Sequence, residues 1–329
     1  MVLTIYEAWV MALAALVLGV LLLVYGGSKI VDAAVYVARN YGVSPLVIGF
    51  TILAFGTSFP ELVISVLANF HGSAGIAIGN VVGSNIANVF MVLGVTALVV
   101  PLRVKVCGSM RRDMAVMLVS TVFLAAMLWI GSIGRVTGAL MFSALCVYVY
   151  YQYRLSLREA ETQEVDSEID LHGFSGPLSA FLVLATGFFF IAAGAECLVQ
   201  GAKVSASLIG VPDAVIALSV IALGTSLPEL STSIIAARKG QGEMVVGNII
   251  GSNVFNILMI IGATSFVKPI EPGSFSSQLA TFDVWVALFA AVVLVSLLVF
   301  FSRINRFSAC LFVLCYLVYN VGIYGMNLR

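Results

Sequence analysis

Two glutamates, Glu61 and Glu229, stand in nearly the same hexapeptide, Gly-Thr-Ser-Phe-Pro-Glu at 56–61 and Gly-Thr-Ser-Leu-Pro-Glu at 224–229. Each lies in an otherwise apolar stretch, where inserting a carboxylate costs roughly 2.5–3.5 kcal/mol on insertion scales. Drift does not place that cost twice in one frame, so the pair has a use. Thr57 and Glu61 are four residues apart, as are Thr225 and Glu229, which puts hydroxyl and carboxylate on one helical face. Pro60 and Pro228 have no N–H, so the carbonyls of Gly56 and Gly224 lose their helical partners. Bare carbonyls at membrane depth are tolerated where they line a cavity or bind an ion. Carboxylate, hydroxyl and carbonyl together form the donor set of a hard-cation site.

A second block is also repeated, Gly-Asn-Val-Val-Gly-Ser-Asn-Ile-Ala-Asn at 79–88 and Gly-Asn-Ile-Ile-Gly-Ser-Asn-Val-Phe-Asn at 247–256. Asn80, Ser84 and Asn88 recur every four residues, as do Asn248, Ser252 and Asn256, so each helix carries a polar stripe that must face protein or water. The glycines spaced by four favour close helix packing, and the amides of Asn80, Asn85, Asn248 and Asn253 serve either as ligands or as interhelical hydrogen bonds. Both blocks are offset by 168 residues, and 22 of 53 positions from 42 to 94 match their partners without a gap. The chain is an internal duplication.

Elements long enough to span a bilayer must carry these motifs. Of 329 residues, 61% are hydrophobic and 10% charged, and mean hydropathy is +1.11, which describes an all-α integral membrane protein. Zero formal net charge gives no sign of a nucleic-acid partner. Apolar runs predict about ten spans, near 8–38, 44–69, 74–99, 113–131, 135–154, 175–204, 212–237, 243–267, 281–301 and 306–326. The halves are then 1–154 and 174–329, joined by an acidic linker at 155–173 with no EF-hand spacing. Five spans per half is an odd number, so the repeats enter the membrane in opposite senses, the plan of secondary transporters with a midplane site. Eleven basic residues fall in one set of connections against four in the other set and the termini. That bias puts both termini outside and the 155–173 linker in the cytoplasm of a multi-pass cell-membrane protein.

Charge counting suggests the mechanism. Two carboxylates brought together in low dielectric do not both ionise readily without a cation. One Ca²⁺ neutralises both, or several Na⁺ do so by sharing hydroxyls and carbonyls, and overlapping sites make exchange obligatory. Other ionisable groups read as structural: a Lys29–Asp32 local pair, Glu196 seven residues before Lys203, and Asp213 at a helix start. His71 and His172 read as loop residues, and the five cysteines, without a CxxC, as packing residues.

At these motifs the chain resembles the calcium/cation antiporter superfamily, and most closely its sodium/calcium exchanger branch, in prokaryotic form. The resemblance covers both repeats and the ten-helix plan; each Glu is followed after 27 residues by the end of a Gly-Ser-Asn-x-x-Asn segment, at Asn88 and Asn256. It implies calcium held by Glu61 and Glu229 with the carbonyls of Thr57 and Thr225. Sodium would use the side chains of Thr57, Ser58, Ser84, Thr225, Ser226 and Ser252 and the carbonyls of Ala54 and Ala222. Asn88 and Asn256 complete the implied metal site. It further implies that the first and sixth helices slide across the other eight. Many relatives carry Asp where this chain has Asn256, which leaves two carboxylates here and argues against potassium co-transport. The expected function is Na⁺/Ca²⁺ antiport by alternating access, with H⁺/Ca²⁺ exchange on the same scaffold as the alternative. The full hydroxyl set favours sodium. The partners implied are Ca²⁺, Na⁺ and the lipid bilayer, with no cofactor and no protein partner. A channel is disfavoured by the lack of a filter-like loop, and an enzyme by the lack of a nucleophile or metal-binding His/Cys group beside the glutamates.

Overall fold

The computed structural model describes residues 5–160, 174, 176–209 and 222–327. The first half has α1 (Ile5–Asn40), α2 (Pro45–Thr57), α3 (Phe59–Phe70), α4 (Ala74–Val99), α5 (Gly108–Ile130) and α6 (Arg135–Ala160). The second has α7 (Pro177–Leu208), α8 (Ala222–Thr225), α9 (Leu227–Arg238), α10 (Gly242–Val267), α11 (Leu279–Phe301) and α12 (Arg306–Asn327). The chain is an all-α integral membrane protein. Among the described residues, seven helices are long and apolar enough to cross a membrane, or eight if α2 and α3 form one bent span, against the ten expected. Two elements account for the difference. Tyr148, Tyr150, Tyr151, Gln152 and Tyr153 dilute the hydropathy of α6, and 210–221, which would lead into α8, lie outside the described residues. The helix α6 also runs on to Ala160, past the expected end at 154; residues 161–173 of the acidic linker are outside the described part.

The two polar-stripe helices form the centre. The apolar window of α10 is 100% buried and that of α4 83%, against 17% for α1 and 33% for α7, so the repeated Asn and Ser side chains face protein rather than lipid. The long helices α1 and α7 pack against each other on the outside of this core. A Cβ placed on Gly19 would lie 2.8 Å from the Gly194 carbonyl oxygen, and one on Gly26 would lie 2.8 Å from that of Gly187. Backbones this close are held by van der Waals contact between small residues, since lipid provides no hydrophobic drive between helices.

The register of that contact has a topological consequence. Gly26 and Gly194 are repeat equivalents, and so are Gly19 and Gly187. Advancing along α1 means retreating along α7, so equivalent helices run antiparallel and the repeats are inverted. The loops obey the same rule. Leu102 and Arg103, between α4 and α5, pair antiparallel with Ile304 and Arg303, between α11 and α12. Ile133, between α5 and α6, bridges Ile270, between α10 and α11.

Candidate cation site

Each glutamate stands just after a break. Ser44 caps α2, its Oγ accepting from Val47 N–H at 3.3 Å, with Pro45 as the first helical residue. The helix widens to a π pattern over Gly49–Leu53, tightens again, and stops at Thr57. Ser58 leaves helical geometry (φ −84°, ψ 0°) and α3 restarts at Phe59, bent 45° from α2. Ser226 does the same (φ −93°, ψ 3°) between α8 and α9. Pro60 and Pro228 fall in the first turn of the restarted helices, where a missing N–H costs no intrahelical bond. Glu61 and Glu229 occupy that same turn, whose unpaired N–H groups and dipole favour an anion. The prolines thus place each carboxylate at a helix start inside the protein.

Glu61 and Glu229 are each 1% exposed and close enough to repel one another. Thr57 donates its hydroxyl to the Leu53 carbonyl (3.0 Å) and lies within hydrogen-bonding reach of the Glu229 carboxylate. Thr57 and Glu61 flank the break at Ser58, both buried, and Glu229 of the other half comes beside Thr57. Several buried oxygens here have no hydrogen-bond partner, and they come in repeat-equivalent pairs: Glu61 and Glu229 Oε2, Ser58 and Ser226 Oγ, Asn88 and Asn256 Oδ1. Ser252 Oγ and the Asn248 amide, both its Oδ1 and its Nδ2, are also buried without partners, while their equivalents Ser84 and Asn80 are not among these groups. Buried polar atoms left without partners are rare in native proteins, and acceptor oxygens of this kind are what a hard cation takes. Among the described residues no three His, Cys, Asp or Glu side chains cluster, so donors beyond the two carboxylates are hydroxyls, amides and carbonyls.

The helices α4 and α10 supply the amides. Each changes to a π pattern at its last repeated Asn, over Asn88–Leu93 and Asn256–Ile261; such widenings occur often at functional sites. The two halves interlock there: α3 packs on the Asn256–Ile261 segment and α9 on Asn88–Leu93. Asn88 Nδ2 donates to Asn253 Oδ1 (3.2 Å) and Asn256 Nδ2 to Asn85 Oδ1 (3.0 Å). Asn80 is an interhelical tie instead, donating to Ser65 Oγ (3.0 Å) and the Glu61 carbonyl (3.4 Å). Ser84 and Ala54 are buried, and Thr225 is half-buried at the end of α8, which Ala222 begins.

A family model described as "Sodium/calcium exchanger protein" matches residues 11–154 and 179–325. The chain belongs to the sodium/calcium exchanger family. It is therefore a cation antiporter of the calcium-exchanging kind. It is 32% identical to the sodium/calcium exchanger MaX1 of Methanosarcina acetivorans, with 94% of this chain and 97% of the relative aligned. It is 35% identical to the inner membrane protein YrbG of Escherichia coli (strain K12), over 81% and 83%. A solved structure of the sodium-calcium exchanger NCX_Mj, soaked with zero Na⁺ and Ca²⁺, matches with a TM-score of 0.77 and 29% identity, covering 94% and 97% of the two chains.

Within this family fold, a second repeated acid escaped the sequence reading. Asp113 on α5 accepts from Tyr148 (2.5 Å) and from Gln152 of α6; Asp283 on α11 accepts from Tyr319 of α12 (3.1 Å). The spacings, 35 and 36 residues, are the signal that would find the pair. The 168 offset misses it because the second half has gained residues by that point. Asp32 pairs with Lys239, the residue after α9 (2.6 Å), rather than Lys29, which lies over the Tyr25 ring, because the end of α9 meets α1 here. Glu196 accepts from Gln200 at 2.6 Å, and Asp213 lies outside the described residues.

Proposed function

We propose that the chain exchanges Na⁺ for Ca²⁺ by alternating access, both ions using one site between the halves at Glu61 and Glu229. The observation that carries this reading is the set of buried, unpartnered oxygens in repeat-equivalent pairs around two carboxylates. No Lys or Arg occurs in 45–70, 74–99, 222–237 or 242–267, so nothing in these helices replaces a cation as the counter-charge. One Ca²⁺ balances both glutamates. Sodium, with a single charge, would be spread over the hydroxyls of Thr57, Ser58, Ser84, Thr225, Ser226 and Ser252 and the carbonyls of Ala54 and Ala222. Because both loads need the same carboxylates, they exclude each other, which makes the exchange obligatory.

The relatives' names support sodium as the counter-ion: MaX1 and NCX_Mj are both called sodium/calcium exchangers. The distribution of basic residues supports termini outside and the 155–173 linker in the cytoplasm, with 1–154 and 174–329 as the two repeats.

Purified protein in Na⁺-loaded liposomes, diluted into Na⁺-free medium, should take up radioactive Ca²⁺. Uptake that needs internal Na⁺, ignores an imposed pH gradient and disappears in the Glu61→Gln/Glu229→Gln variant is the expected result. Uptake driven by the pH gradient alone would assign H⁺/Ca²⁺ exchange instead.

A further inference from the structure

We infer that Asn85 and Asn253 are positioning residues that make Asn88 and Asn256 face the cation site with their amide oxygens rather than their N–H groups. This rests on the reading of the site just given and adds to it the device that makes a neutral amide a cation ligand.

An aspartate presents oxygen whichever way it turns. An asparagine is ambivalent, with an acceptor at one end of its amide and two donors at the other. Facing a cation with N–H would be repulsive. An Asn ligand therefore works only if something occupies its NH₂.

The hydrogen bonds do this without a free choice of orientation. Asn253 Nδ2 donates to the Asn85 backbone carbonyl (3.4 Å), and Asn85 Nδ2 to that of Asn253 (3.3 Å). A backbone carbonyl only accepts, so each of these side chains must turn its nitrogen toward the opposite helix. Their Oδ1 atoms then point the other way, toward Asn88 and Asn256. An acceptor there demands a donor, so Asn88 and Asn256 must present Nδ2, at 3.2 Å and 3.0 Å. Their own Oδ1 atoms are left over, buried and unpartnered. Reversing either terminal amide would set oxygen against oxygen. The orientation thus descends from two main-chain carbonyls through two amides bonded at both ends to two free oxygens.

The chain of bonds crosses between repeats at every step. Asn253 of the second half orients Asn88 of the first, and Asn85 of the first orients Asn256 of the second. Neither repeat sets its own amide ligand.

The test uses the full-length protein in detergent, with Ca²⁺ binding read by isothermal titration calorimetry. Four forms are compared: the unaltered chain, Asn253→Leu, Asn88→Asp, and both substitutions together. Leucine has nearly the shape of asparagine without its hydrogen bonds. Asn253→Leu should weaken Ca²⁺ binding about tenfold, the size of one lost hydrogen-bond constraint at a charged site. In the Asn88→Asp background both ends of the side chain are oxygen and Asn253 Oδ1 opposes one of them, so adding Asn253→Leu should leave affinity unchanged or raise it. An equal loss in both backgrounds, or no loss in the single variant, overturns the inference. Absence of Ca²⁺ binding by the unaltered chain overturns the site itself, a separate result. Where Asn253→Leu does not accumulate as folded protein, Asn85→Leu with Asn256→Asp asks the same question from the other half.

Discussion

The hydroxyl of Thr57 and the carboxylate of Glu229 come from opposite halves of the chain and lie within hydrogen-bonding reach of each other. A hydroxyl has one proton, and the Leu53 carbonyl at 3.0 Å and the Glu229 carboxylate compete for it. A cation between the two would satisfy the carboxylate, leave the proton to Leu53 and take the hydroxyl's lone pairs. Thr57→Val keeps the shape and removes the oxygen. It should weaken apparent Na⁺ and Ca²⁺ affinity about tenfold, while Thr57→Ser retains most of it. Concentration dependence of uptake in proteoliposomes checks this; unchanged affinity in the valine variant removes Thr57 from the site.

Charge removal should act more severely than hydroxyl removal. With Glu61→Gln or Glu229→Gln, a divalent ion faces a single buried carboxylate, and loss of a charged partner in a buried site costs about 3–5 kcal/mol. Calcium uptake should fall by at least about a hundredfold in either variant. Robust exchange in one of them would show that the two glutamates do not share the ion.

Protons compete for the same oxygens, so exchange should slow as pH falls. Asn256→Asp moves this limit in a defined direction. A third buried carboxyl adds like charge beside Glu61 and Glu229, so protons compete more strongly with the cation for the set. The variant should still transport calcium, but its rate should begin to fall at a less acid pH than that of the natural chain. A pH–rate profile unshifted or shifted toward acid would show that a carboxyl at position 256 does not share the cation with the glutamates.

Gly83 and Gly251 are repeat equivalents with different surroundings. A Cβ on Gly251 would collide with the Phe50 backbone of α2, whereas one on Gly83 meets nothing within 4 Å. Gly251→Ala should therefore destabilise the protein by about 1–3 kcal/mol through overpacking. Gly83→Ala should be neutral or stabilise by about 0.5–1 kcal/mol through helix propensity. Thermal unfolding of the two variants in detergent compares them directly; equal melting shifts would mean that α2 does not press on α10 as described.

The phenols of Tyr148 and Tyr319 tie buried acids across α5–α6 and α11–α12. Tyr319→Phe removes a hydrogen-bond donor from buried Asp283 and should cost about 1–3 kcal/mol of stability. It should leave Ca²⁺ affinity unchanged, since neither residue belongs to the repeated motifs. A calorimetric Kd altered along with stability would make the acid–phenol pair part of ion handling.

Much was legible in the chain because lipid leaves few solutions. The apolar runs, the 168-residue repeat and the two glutamates carry their meaning locally: a carboxylate, a proline and a glycine in an apolar span can be tolerated only where a site uses them. Inversion followed from parity, and the Gly19–Gly194 and Gly26–Gly187 register agrees with it. The sequence therefore determined the class of protein, the duplication and the donor types. Tertiary structure alone decided which donors meet. Spacing of four relates Thr57 to Glu61 within one motif, but no spacing records that Glu229 of the other half comes beside Thr57. For Asn85 and Asn253 the sequence left ligand and hydrogen-bond roles open; whether an amide faces an ion or another amide depends on which end faces what, and this is set across the interface by main-chain carbonyls that no side-chain pattern records. Asp113–Tyr148 and Asp283–Tyr319 stayed hidden for a similar reason, because a contact between two helices has no fixed separation along the chain.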